Sequence, residues 1–144
     1  MANRSFNRLQ ALDKEIKILH GQFATSSTDA TAVTLSESKS VGIKSLTRNS
    51  AGDFSIILGT PSGSVDKYSH FFGIYFDIQK ASVLGGTTGG MAFQLKAAPT
   101  VSTDGTINFI ALDKNGSAAD LGTSETVHFM IVLKNSSLPG VGVS

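Results

Sequence analysis

The sequence predicts an all-β fold, an antiparallel β-sandwich or barrel of jelly-roll-like kind, and three observations carry that prediction. Short runs rich in Val, Ile, Phe and Thr recur at close spacing. The stretches between them are built from Gly, Ser, Thr, Asp and Asn, which favour turns. The last third, GTINFIALDKNGSAADLGTSETVHFMIVLKNSS, is two β-branched and aromatic runs flanking a polar turn segment. A chain of 144 residues suits one domain whose core closes without disulfides or structural metal.

Residues 5 to 19 read two ways. Leu9, Leu12, Ile16 and Leu19 follow a helical stripe, whereas Ile16 and Ile18 alternate around Lys17 as in a strand. The reading adopted is a short helical or irregular arm to about Asp13, then a strand from about Glu15 to Thr25 that runs through Gly21. A polar stretch, SSTDATAVTLSESKS, follows. In SVGIKSL, Val41 and Ile43 are expected on one face. In GDFSIILGT, Phe54, Ile56 and Leu58 alternate with Ser55 and Ile57 before Pro61 and Gly63 end the strand.

SHFFGIYFDIQ is the most apolar run. Alternation places Phe72, Ile74, Phe76 and Ile78 on one face and Phe71, Gly73 and Tyr75 on the other, so both faces are expected to be covered. The loop GGTTGG then leads to MAFQLKA, and the two runs are expected to pair as a long hairpin. In the final pair of strands, Ile107 and Phe109 form one inward set and Val127, Phe129, Ile131 and Leu133 another. Met130 and Val132, on the nominally outward side beside His128, point to a second contact surface. The organisation expected is an N-terminal docking arm over 1–14, a β domain over 15–137 and a tail over 138–144.

Charge and composition bound the function. Charged residues are 16% of the chain, below the roughly 25% of an average soluble protein, which fits a surface partly covered by identical subunits. A net charge of +1 argues against a nucleic-acid partner, and no apolar run approaches the roughly 18 residues of a membrane span. Residues 1 to 21 carry four bases against two acids, so a mildly basic arm precedes a near-neutral body. With no Cys there is neither a thiolate nucleophile nor a Cys zinc site.

Candidate sites thin out on inspection. GGTTGG lacks the Lys-Ser or Lys-Thr of a phosphate loop and reads as a hairpin tip. Asp113, Asn115 and the distant Glu125 outline a calcium loop, yet Ser117 stands where a further oxygen ligand is needed and no helices flank it. His20, His70 and His128 are isolated in sequence, and no GxSxG elbow is present. Asp104 and Asp113 flank one strand as turn residues. No catalytic residue, metal or cofactor is expected. The arm is the best remaining candidate: Arg4, Phe6, Arg8 and Leu9 offer cationic and apolar contacts at a terminus, where order usually depends on being tied down.

The order of ALDKEIKILHGQFAT, SVGIKSLTRNSAGDFSIILGTP and the final GTINFIALDKNGSAADLGTSETVHFMIVLKNSS resembles small structural proteins of tailed bacteriophages, particularly capsid decoration (cement) proteins. The resemblance lies in the style of strands and turns. It implies a non-enzymatic homo-oligomer, a trimer by preference, made in the host cytoplasm. Such a protein binds the major capsid protein on the outer face of the head and ties capsomers together, with Arg4 and Arg8 meeting acidic coat residues. The alternatives are a phage tail or fibre component that binds a host receptor, and a carbohydrate-binding β module, which the absence of Trp and the presence of only Tyr68 and Tyr75 disfavour.

Overall fold

Alternating apolar residues close two antiparallel sheets on one core in the computed structural model, which describes residues 16–79 and 91–134. The strands in chain order are β1 (Ile16–Thr25), β2 (Val33–Leu35), β3 (Ile43–Ser50), β4 (Asp53–Leu58), β5 (His70–Gln79), β6 (Ala92–Leu95), β7 (Thr106–Leu112) and β8 (Thr126–Lys134). They form a β-sandwich with a first sheet in the order β2-β1-β8-β5 and a second in the order β3-β4-β7-β6. The predicted all-β class and sandwich are what the structure has. The arm over 1–14, the GGTTGG loop and the tail over 138–144 lie outside the described residues.

The core follows from the period of two in each strand. β4 sends Phe54, Ile56 and Leu58 inward, β7 sends Ile107 and Phe109, and β8 sends Val127, Phe129, Ile131 and Leu133, all buried. Leu19 and Phe23 of β1 complete the opposing layer. Phe23 lies 5.8 Å from Phe54 and 6.4 Å from Phe109, so the two sheets are joined by ring contacts. Each such side chain contributes roughly 1.5–3 kcal/mol when removed from water.

Four features depart from the sequence expectations, each for a physical reason. Val41 and Ile43 do not share a face: Gly42 between them has φ +75°, which turns the chain so that Ile43 is buried while Val41 is exposed and bridges His20. In β5 the pairing with β8 shifts between Phe71 and Gly73, a β-bulge that adds one residue. Phe71 therefore packs on the core with Ile74, Phe76 and Ile78, and Phe72 is turned outward. The expected long hairpin does not form, because β5 pairs with β8 and β6 with β7 in the other sheet. Phe76 of β5 instead stacks on Phe93 of β6 across the sandwich at 4.6 Å. Finally, the polar stretch after β1 holds the short β2, paired with β1, and a 3-10 turn over Glu37–Lys39.

Buried and half-buried polar groups fasten the ends of the sheets. The Thr25 hydroxyl donates to the Gly122 carbonyl at 2.6 Å and accepts from the Glu125 amide at 2.9 Å. Arg48 makes a two-pronged bond to Asp120, 2.7 Å on each side, and Asp120 also accepts from the Gly52 amide at 3.1 Å. That fork, together with the Gly52 amide, holds the Asp120 carboxyl below its ordinary value of 3.8 against an opposing effect of desolvation.

Candidate functional site

The two outer faces of the sandwich are built for different surroundings. On the second sheet the polar outward positions are bonded to one another, with Ile57, Ile110 and Leu112 half-buried among them. Asn49 donates to the Ser55 hydroxyl at 2.7 Å, and Ser55 donates to the Asn108 side-chain oxygen at 2.7 Å. Lys96 and Asn49 both close over Asp53, and Lys96 is the main reason its carboxyl is held below the ordinary value. The polar side chains of this face are thus satisfied among themselves.

The outer face of the first sheet is the opposite case. Register places Ile18, Val132 and Gly73 in one row across β1, β8 and β5, and His20, Met130 and Tyr75 in the next. Phe72 from the bulge adds a second ring. Exposure is 55% for Ile18, 58% for Phe72, 60% for Tyr75 and 40% for Met130, with Val41 at 54% beside His20. The Tyr75 ring lies back over Gly73, whose Cβ position would sit 3.4–3.5 Å from it, so the rows are levelled into a flat platform. Monomeric soluble proteins rarely leave a continuous apolar strip of this kind uncovered, and such strips mark contact surfaces.

Apart from His20 in the Met130 row, the polar groups of this face stand at its ends. The row of Gln22, His128 and Asp77 closes one end, and that of Ile16, Lys134 and His70 the other. All three histidines of the chain are thus exposed on one face, a grouping that their separation in sequence concealed. His128 lies 3.3 Å from the Gln79 side-chain oxygen. An open depression of about 250 Å³ is lined by Tyr75, Phe76, Asp77, His128, Phe129 and Met130.

The sequence had marked part of this surface. Met130 and Val132, expected outward, are so placed, whereas Phe72, expected on one face with Ile74, Phe76 and Ile78, is parted from them by a bulge that leaves no composition signal. The expectation that both faces of β5 are covered holds for the inner face alone within a single chain. Arg4, Phe6, Arg8 and Leu9 lie outside the described residues.

The rejected sites acquire structural roles. The Asp113 carboxylate accepts from the Asn115 and Ser117 amides at 2.8 and 2.9 Å and so closes its own turn. Glu125 accepts from the Gly122 amide at 2.9 Å. Asp104 accepts from the Thr100 hydroxyl, which chiefly lowers its pKa, and from the Thr106 amide. Asp104 and Asp113 stand beyond opposite ends of β7, whose seven residues span roughly 23 Å. Paired carboxylates of a glycosidase are about 5–9.5 Å apart, so these two do not act as one. Among the described residues, no group of three or more His, Asp or Glu is placed to hold a metal ion. Comparison with protein-family models, curated proteins and solved structures returns no match.

Proposed function

We propose that the chain is a non-enzymatic structural protein of a virus particle, a capsid decoration protein that binds the outside of a phage head and stabilises contacts between capsomers. The observation that carries this reading is the inequality of the two outer faces: one ties its polar side chains into a bonded network and keeps its apolar ones half-buried, the other exposes a strip of Ile18, Met130, Tyr75 and Phe72. A body of this kind works by adhesion. Many identical sites on a shell allow several weak contacts to act together, and binding to the assembled shell alone stabilises it relative to broken forms. In this reading the arm with Arg4, Phe6, Arg8 and Leu9 docks on the major capsid protein, and the sandwich is the rigid body it secures.

The test is to add purified protein to heads that lack it and follow occupancy and the temperature at which the heads open. Full-length protein is expected to bind and raise that temperature, and a chain lacking residues 1–13 is expected to lose binding while keeping its β circular dichroism. Unchanged occupancy after the deletion removes the arm from the mechanism, and failure of the full-length chain to bind any head removes the reading itself. A second reading, a glycan-binding module, gains support from the exposed Tyr75 ring beside Asp77 and His128. Selective retention on a glycan array, lost in Tyr75→Ala, would favour it over the first.

A further inference from the structure

We infer that the outer face of the first sheet is an isologous interface that pairs two copies of this chain face to face about a two-fold axis. Three observations name a second copy as the occupant. The first is shape: Gly73 under the Tyr75 ring leaves a level surface, and two twisted sheets of the same hand pack on each other about 10 Å apart with their strands roughly aligned. A copy of the same sheet is the partner whose twist matches.

The second is charge. The acid of this face, Asp77, stands in the row of His128, whereas Lys134 and His70 stand together at the other end. A two-fold axis lying between the faces, across the strands and midway between the rows of Met130 and Val132, superposes these ends. Ile18 and Val132 of one copy then lie over the Met130 row of the other, and each Asp77 faces His70 of the second copy, with Lys134 of that copy one strand away over His128. The parallel arrangement, like end on like end, lacks this match. The axis generates the contact twice, as isologous symmetry requires.

The third is area. Three strands about 4.8 Å apart and four outward rows about 6.8 Å apart cover about 390 Å² in plan on each copy. The pair would cover about 800 Å² in plan, below the roughly 1,200 Å² of stable interfaces, so a weak, reversible dimer is expected. Pairing is a property of the chain in solution and is independent of the particle. It is also a different assembly from the trimer implied by the phage resemblance.

Sedimentation equilibrium of the full chain over a range of concentrations tests it. The expected species are a monomer of 15.0 kDa and a dimer of twice that mass. Met130→Glu is expected to weaken pairing at least a hundredfold with an unchanged melting profile at concentrations where both proteins are monomeric. Asp77→Lys and Lys134→Glu are each expected to weaken it about tenfold or more. Mixing these two variants is expected to restore a mixed pair, because the two-fold axis then sets Lys against Glu at one end and Lys134 against Asp77 at the other. A monomer at every concentration, a trimer, a dimer indifferent to Met130→Glu, or a mixture that pairs no better than its parts would each overturn the inference.

Discussion

Replacing Gly21 by Ala should destabilise this protein, although Gly to Ala inside a strand ordinarily gains roughly 0.5–1 kcal/mol. Gly21 lies directly across from Phe129 in the β1–β8 ladder, and a Cβ there would stand 2.3 Å from the tip of the Phe129 ring and 2.9 Å from two further ring carbons. Carbon atoms pack best at about 3.5–4.0 Å, so the ring must retreat by more than an ångström. It has little room to do so: Phe23 and Phe76 flank it with ring centres at 6.2 and 6.3 Å. Forced overpacking of a core costs about 1–3 kcal/mol, and after the strand gain is offset a net loss of about 1 kcal/mol is expected. Urea unfolding at one fixed protein concentration measures it as a lower midpoint at constant slope. Phe129→Leu shortens the ring and alone costs about 1.5 kcal/mol. In the double variant the Cβ fills the vacated space, so the two losses should fail to add by about 2 kcal/mol. A neutral or stabilising Gly21→Ala, or simple additivity with Phe129→Leu, would refute the account of why a glycine sits in the middle of β1.

Phe71 and Phe72 should behave as opposites: Phe71→Ala is expected to cost about 3 kcal/mol in urea unfolding, whereas Phe72→Ala should stay within about 0.5 kcal/mol under monomeric conditions. Equal costs would show that the bulge is misplaced. Thr25→Val keeps the shape but deprives the Gly122 carbonyl and the Glu125 amide of their partner, and a loss of about 2 kcal/mol is expected in the same assay. Acid should destabilise the fold through Asp120 and Asp53. Both have folded pKa values below the ordinary 3.8, so their stabilisation is complete above that pH and is lost as pH falls through the depressed folded values. Melting temperature should therefore drop below about pH 4, and Asp120→Asn should lower the neutral plateau and shrink the drop.

Much of the core was legible because it obeys local rules. Phe54, Ile56 and Leu58 in β4, and Val127, Phe129, Ile131 and Leu133 in β8, alternate without interruption, so a period of two assigns their faces correctly. Gly42 and the residue inserted between Phe71 and Gly73 each shift that period by one, and a one-residue slip turns every following side chain to the other face. Nothing in composition marks the slip, which is set by how β5 meets β8. The separation of β5 from β6 was hidden for a similar reason: a Gly-rich linker is as compatible with crossing the sandwich as with turning back. The contact face was half visible, through Met130 and Val132, while its other members come from strands more than 50 residues distant in the chain. Ladder register assembles them, and register is a tertiary fact.

β5 is the last strand of its sheet, and its ten residues offer one flank of amides and carbonyls to which no strand of the fold is bonded among the described residues. Flanks of that length are templates for further strands and for fibrils. The bulge at Phe71–Gly73 spoils the template, because it bends the strand and breaks the even spacing that an incoming strand would have to match. The same inserted residue that brings Phe72 to the surface therefore also guards the border beside it, letting chains crowd together without zipping into aggregates.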